Sequence, residues 1–462
     1  MAMALEVLET GDREEGATCE ALKTLVRATL EEEWREALST SLPLLVAHAA
    51  SPEPETSLYA LRTLRNASAG AERTQAGLAE YVERLLDEEV EAGMFAGEDR
   101  GMCRKRVTAM LQMAGNVCCA QAPPPGRVYG AVWEWMGRVV GRGGEEGEDG
   151  DVVDGAVLAL CATVVIRVLS SLDGKSMGGE GEEASLARAV AGIVERVPLG
   201  GEKRVVEPMV QMVELMALEG KGEGLYAAAA ASAAVGGGTC LRALLEVVDG
   251  LVFRAQEGGG VAELMTPGLW RAIMRDVVEG VSVLATSRTG EEAENQAGVF
   301  KLQLQVLGMV LGCVEGEEIK EDAANTGVLS AAIVFLRTLR ESVAEAGMAL
   351  SSDTSGSGIP QGLMGDIVRI VGNASADCKR NQDLVREEGG LLLILDSCRI
   401  DTHNPFIREW ALLAVRNLVV DNEENQKEVA GLEMQGVAET RELADMGLEA
   451  YVDEHGKLKF KR

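Results

Sequence analysis

Four asparagines set a register along this chain: Asn66, Asn116, Asn373 and Asn417. Two residues before them stand Leu64, Ala114, Val371 and Val415; five before stand Leu61, Leu111, Val368 and Leu412. Those offsets put an apolar pair on one helical face, about one turn apart. Immediately before each asparagine is Arg65, Gly115, Gly372 or Arg416, and nine residues after three of them come Gln75, Gln382 and Gln426. After Asn116 that slot holds Pro125 instead. A further, degenerate copy over 307–313 would place Cys313 in the asparagine slot. A helical unit with one such apolar face cannot cover it alone, so neighbouring units must stack.

The period names the architecture. Asn417 lies 44 residues after Asn373, and Asn116 lies 50 after Asn66. Armadillo and HEAT units run about 40–47 residues, and an insertion over 88–101 accounts for the longer step. The sequence therefore predicts an all-α, armadillo/HEAT-like right-handed α-solenoid with disordered Gly-rich and acidic insertions. Helical periodicity runs over 21–45, 58–86, 104–113, 157–172, 186–197, 205–218, 241–253, 269–284, 299–314, 327–343, 363–371, 390–395 and 407–420. No segment reads as a strand. The Gly-rich, acidic or Ser-rich stretches 141–154, 173–183 and 351–358 read as flexible, because they hold too little apolar surface to offset ordering entropy. The chain is thus expected to divide into N-terminal repeats over 1–140, divergent repeats over 141–361 and a C-terminal domain over 362–462.

Composition agrees with helix-on-helix packing. Hydrophobic residues make up 47% of the 462 residues but aromatics only 3%, so the core must be aliphatic. With 74 acidic against 44 basic residues the net charge is −30, a field that repels phosphate backbones and anionic lipid. Nucleic acid and membrane insertion are therefore not expected; the longest apolar stretch, 156–166, is short and ends at Arg167. The basic tail of Lys457, Lys459, Lys461 and Arg462 reads as a solvated end. Nine scattered cysteines without framework spacing, and no basic-then-apolar leader, point to a reducing compartment, the cytoplasm.

The stretch from Ile367 to Val429 carries a more specific signature: Gly372-Asn373, Asn381-Gln382-Asp383, Leu393 to Cys398 with Asp401, Asn404-Pro405-Phe406, Glu409-Trp410, Arg416-Asn417-Leu418 and Asn425-Gln426. It resembles the C-terminal domain of the ataxin-10 family, and the similarity runs over about 362–462. The resemblance implies an armadillo-like protein in the cytoplasm, a non-enzymatic scaffold for other proteins, and roles in cytokinesis or cell survival. It implies no catalytic residue. Two other functions stay open: copper homeostasis, from the name of a fungal branch, and a structural subunit of a larger complex.

The residues support no enzyme chemistry and no cofactor. His48, His403 and His455 have no second histidine or cysteine at ligand spacing, and the 18 methionines fall at core spacing. Gly174-Lys175-Ser176 lacks the glycine a phosphate loop needs, since Leu169 stands there. Asparagines near helix ends satisfy backbone groups left unpaired there, or else line a face that grips a bound chain. Armadillo proteins that hold basic peptides carry tryptophan four residues before the asparagine; here those slots hold Arg62, Gln112, Arg369 and Leu413. The candidate partner-binding face is therefore Arg62, Arg65, Asn66, Asn116, Arg369, Asn373, Arg416 and Asn417, suited to acidic or phosphorylated protein segments. Homo-oligomerisation stays open. Three residues read as structural: Asn404 as the cap and Pro405 as the first residue of one helix, and Trp410 as core.

Overall fold

The computed structural model describes residues 2–10, 15–86, 99–120, 124–142, 153–172, 180–236, 239–258, 260–286, 291–345, 361–399, 401, 404–432, 446–452 and 458–461. Apart from one C-terminal hairpin, every regular element among them is a helix. The chain forms two compact units, Met1–Glu315 and Gly316–Arg462.

The first unit opens with α1 (Ala2–Thr10), α2 (Glu15–Ala28), α3 (Glu32–Ala37) and α4 (Leu42–Ala49). It continues through α5 (Pro54–Ala67), α6 (Glu72–Ala79), α7 (Val82–Leu85), α8 (Arg100–Cys118) and α9 (Gly126–Arg142). There follow α10 (Gly155–Leu172), α11 (Glu180–Arg196), α12 (Lys203–Leu218), α13 (Gly222–Gly236), α14 (Thr239–Ala255), α15 (Val261–Leu264), α16 (Pro267–Thr286) and α17 (Glu291–Cys313). Helices α2, α5, α8, α10 and α12 pack in succession as one row, and α9, α11 and α14 pack as another. On the helices of the first row Leu61, Leu64, Leu111, Ala114, Val164 and Val165 are all without measurable solvent contact or nearly so. This is the all-α stack the register predicts.

The second unit contains α18 (Glu318–Asn325), α19 (Val328–Glu345), α20 (Leu363–Ser375), α21 (Lys379–Glu387), α22 (Gly390–Asp396), α23 (Ile407–Val419) and α24 (Glu423–Ala430). Helix α20 lies between α19 and α23, while α21 touches both α18 and α24. The expected boundary at 361/362 thus falls inside this unit, just before α20, and the one at 140/141 falls at the end of α9. The stretches expected to be flexible lie mostly outside the described residues; of the rest, 141–142 end α9, 153–154 lead into α10, and 180–183 form the first turn of α11.

Several segments differ from the sequence reading. The helix expected over 21–45 breaks after Ala28, and Pro43 sits in the first turn of α4, where its missing N–H costs nothing. Arg35 seals the break by donating to Thr29 O, Leu30 O and Ala69 O at 3.0, 3.0 and 2.7 Å. The helix expected over 58–86 ends at Ala67, and the chain turns at Gly70, whose φ of +81° is left-handed. Four residues after Asn373 and Asn417 the same left-handed turn recurs at Asp377 and Asp421, both with φ +53°. Residues 126–142 form a helix no periodicity was read for, and it buries Trp133 and Trp135 completely. Of the basic tail, Lys457 and Arg462 lie outside the described residues; Lys459 and Lys461 are exposed as expected, but on an antiparallel hairpin, β1 (Glu449–Val452) with β2 (Leu458–Lys461), pairing Glu449 with Lys461 and Tyr451 with Lys459. Helix α10 as a whole is 18 residues long and apolar enough to cross a membrane, but half of it is buried within the stack.

Asn404 and Pro405 do not start α23. Phe406, left-handed at φ +68°, is its N-cap. The Asn404 side chain reaches back one repeat: Met364 N–H, in the first turn of α20, donates to Asn404 Oδ1 at 3.1 Å. Asp401 Oδ2 accepts from Asn404 Nδ2 at 2.8 Å and fixes the amide's orientation. The cap therefore joins two repeats rather than ending one. Asn404→Ala should destabilise the second unit by about 1 kcal/mol. Amide hydrogen exchange locates the loss: Met364 N–H should exchange faster while Ile407 N–H, which donates to the Asn404 backbone carbonyl, is little changed.

Candidate protein-binding row

Three of the register asparagines tie their repeat to the one before it. Asn116 Nδ2 donates to Arg65 O at 3.3 Å and Ser68 Oγ at 3.2 Å. Asn66 Nδ2 does the same to Val26 O and Thr29 Oγ1, each at 3.3 Å, which places Arg27 in the asparagine slot of the first repeat. Asn417 Nδ2 donates to Gly372 O at 3.0 Å. In every case the acceptor carbonyl is one residue before the preceding repeat's slot. The glutamines complete the tie in the other direction. Gln75 Nε2 donates to Ser68 O at 2.8 Å and to Asn116 O at 3.2 Å. Gln382 Nε2 donates to Ser375 O at 3.3 Å and to Asn417 O at 2.8 Å. Both amide types thus satisfy helix-end carbonyls that would otherwise be orphaned.

The asparagine carbonyl oxygens hold arginines. Arg65 donates from Nε and Nη2 to Asn66 Oδ1 at 3.0 and 2.7 Å, and from Nη1 to Gln112 Oε1 at 3.2 Å. Arg167, on α10, donates to Asn116 Oδ1 at 3.4 Å. Arg62 lies one turn before Arg65 with its guanidinium 5.6 Å from the centre of the Tyr59 ring. Lys23 covers the same ring at 5.2 Å and pairs with Glu20 and Glu55. Among the described residues Arg27, Arg62, Arg65 and Arg167 form no ion pair with a carboxylate; Arg27 and Arg167 are exposed, and Arg62 and Arg65 half-buried. Burial, and then the Arg62 charge, pull the Arg65 guanidinium below its ordinary pKa. Two cations held by neutral amides, Arg65 and Arg167, with Arg62 over an aromatic ring and Arg27 exposed nearby, make a row with unspent attraction for anions in a chain of net charge −30.

The sequence reading thus finds Arg62, Arg65, Asn66 and Asn116 gathered on neighbouring helices, and misses Arg27 and Arg167. Arg167 had a signal: it follows Asn116 by 51 residues, close to the preceding step. Arg369, Asn373, Arg416 and Asn417 lie in the second unit on α20 and α23. There Arg369 already faces Asp366 at 3.6 Å and stacks 5.5 Å from the Trp410 ring centre. Trp410 is only half-buried, so it serves as a platform for that guanidinium rather than as core. Arg416 is exposed. Elsewhere, Tyr226 Oη donates to Asp276 Oδ2 at 2.8 Å and accepts from Gln303 Nε2 at 2.8 Å, a buried tie across α13, α16 and α17. Among the described residues no group of three or more His, Cys, Asp or Glu side chains is placed to hold a metal ion.

Comparison with known proteins bears on the second unit. Residues 364–461 match the profile of the Spinocerebellar ataxia type 10 protein domain. The chain carries an ataxin-10 domain. An ataxin-10 homolog of Dictyostelium discoideum is 48% identical over 101 residues, 22% of this chain and 17% of that protein. Ataxin-10 of Xenopus tropicalis is 36% identical over 143 residues, 29% of each chain, and human ataxin-10 is 41% identical over 93 residues, 20% of each. The matches therefore span under a third of these relatives' own length. Among solved structures, one from a study of a phosphorylation switch between cadherin and beta-catenin covers 94% of this chain and 72% of its own, at 12% identity and a TM-score of 0.34. A designed armadillo repeat protein covers 82% and 99%, at 12% identity and a TM-score of 0.21. In the ataxin-10 domain the repeat ties described above fall on α20, α21 and α23.

Proposed function

We propose that this chain is a non-enzymatic interaction scaffold whose first unit takes an acidic or phosphorylated segment of a partner protein along Arg27, Arg62, Arg65 and Arg167. The observation that carries this reading is the pair Arg65 and Arg167, held in place by amide oxygens and, like Arg27 and Arg62, left without carboxylate partners among the described residues. Neutral amides orient a guanidinium without consuming its charge, so a bound carboxylate or phosphate meets preorganised donors. The reading places the chain in the cytoplasm, and the roles in cytokinesis or cell survival that the ataxin-10 resemblance implies are part of the same proposal. Copper handling gains no support: burial pushes the Cys161 and Cys240 thiols up to about 12 and raises Cys118 further, which disfavours the thiolate a soft metal needs.

A fluorescein-labelled acidic peptide with two phosphoserines, and its unphosphorylated twin, test the row by fluorescence anisotropy. The intact chain should bind the phosphopeptide more tightly, and the affinity should fall as salt rises. The double variant Arg65→Glu, Arg167→Glu, shown by circular dichroism to keep its helix content, should bind at least about 10-fold more weakly, since each charge-assisted contact contributes about 1.5–3 kcal/mol. Equal binding by the intact chain and the variant sinks the assignment. If the reading holds, the same pair used as bait in cytosol names the natural partner.

A further inference from the structure

The ties between repeats form a code that the last repeat among the described residues leaves unread. At the slot five before the asparagine, Leu61, Leu111 and Val368 are fully buried by their neighbours, whereas Leu412 is 53% exposed. Two before, Leu64, Ala114 and Val371 are fully buried, whereas Val415 is only half covered. Gln75 and Gln382 each donate to their own helix end and to the next repeat's asparagine carbonyl. Gln426 is exposed and donates only to Val419 O, at 2.8 Å. Arg416 stands where Arg65 stands, one residue before the slot, with its side chain exposed. The outer side of α23 and α24 is therefore the receiving half of a repeat-to-repeat interface seen complete elsewhere in the chain.

We propose that this face docks an amphipathic helix of a partner protein bearing asparagine, with glutamine four residues before it. The chemistry of that helix is read from α8, which docks on the equivalent face of α5. There Asn116 donates to Arg65 O, Asn116 O accepts from Gln75, and Gln112 Oε1 accepts from the Arg65 guanidinium. On the last repeat the corresponding groups are Arg416 O, Gln426 Nε2 and the Arg416 guanidinium, over an apolar floor of Leu412 and Val415. Two features argue against a second copy of this chain stacking end to end. Its first repeat offers Arg27, not asparagine, at the slot, which would bring a cation against Arg416. Its helix α2 is already packed by α1. The proposal is independent of the arginine row in the first unit.

The probe is a fluorescein-labelled, hydrocarbon-stapled peptide of residues 104–117, the α8 sequence that makes these contacts and contains no cysteine. It is titrated against the full chain. Saturable binding is expected, about 10-fold weaker or more with Leu412→Glu in the chain, a substitution at an exposed position that leaves the fold intact. Asn116→Ala or Gln112→Ala in the peptide, and Gln426→Ala in the chain, should each weaken binding about 3- to 10-fold, as loss of one net hydrogen bond does. Absence of binding, or equal binding to the Leu412→Glu chain, overturns the proposal. So does binding that appears only with Phe460→Glu, which would mean the chain's own hairpin covers the face. Self-association abolished by Leu412→Glu in light scattering overturns it too, by making a second copy the occupant.

Discussion

Gln382→Leu should cost the second unit about 3 kcal/mol, while the same change at Gln426 costs under about 0.5 kcal/mol. Both residues occupy one slot, nine after an asparagine, and both are legible in sequence as equivalents. Gln382 is 3% exposed. Its Nε2 serves Ser375 O, Asn417 O and Val420 O, and its Oε1 accepts from Asn422 Nδ2 at 3.1 Å. Leucine is close in volume and removes every one of these bonds. The carbonyls of Ser375 and Asn417 are left facing a methyl group, and each unsatisfied buried group costs about 1–3 kcal/mol, less than additively because the site can relax. Gln426 gives up one bond at an exposed helix end, where water replaces it. Urea unfolding read by hydrogen exchange over residues 363–430 measures both. Equal midpoints for the two variants would show that the glutamine tie contributes nothing to stacking.

The contrast shows where sequence carries structure and where it stops. The asparagine slot, its apolar partners at two and five, and the glutamine at nine were all readable, because they recur at fixed offsets on one chain. What the asparagines bond to was not readable, because each acceptor named above belongs to another repeat about 40–50 residues away. Asn404 is the clear case. Asn-Pro before an apolar run satisfies the local rule for a helix start, yet its oxygen caps α20, the helix of the preceding repeat. Local capping rules describe an isolated helix, and a stacked array offers an equally close N–H from its neighbour. Helix α9 escaped notice for a related reason. Its glycines 130 and 137 lower helix propensity, but both face α11: a Cβ at Gly130 would lie 3.1 Å from Glu182 Cγ, and one at Gly137 would touch Ala189 at 3.9 Å. The hairpin was missed because four-residue strands give too few alternations to outweigh the charge of Lys459 and Lys461. Of the binding row, Arg62 and Arg65 were found by their place beside Asn66. Arg27 and Arg167 were not, since nothing local marks an arginine whose acceptor or slot is set by the adjacent helix.

Gly372→Ala should destabilise the second unit by about 1–3 kcal/mol, against the usual direction for such a change. In an exposed helix interior, replacing glycine by alanine stabilises by about 0.5–1 kcal/mol, because alanine loses less conformational freedom on folding. Gly224, exposed in the first turn of α13, comes near that description: a Cβ there finds no atom within 4 Å, and Gly224→Ala should raise stability by up to that amount. At Gly372 a Cβ would lie 2.8 Å from Ala414 Cβ and 2.9 Å from Ala414 Cα. Those are backbone-level contacts between α20 and α23, so no rotamer change relieves them, and the helices must separate. Separation also stretches the Asn417 Nδ2 bond to Gly372 O, now 3.0 Å, and the Gln382 bond to Asn417 O. The penalty is thus overpacking plus a loosened tie, and it exceeds the propensity gain. Thermal and urea unfolding of the two single variants give opposite signs if the close approach is real. A stabilised Gly372→Ala protein would mean that α20 and α23 stand farther apart, and that the asparagine tie does not set their spacing.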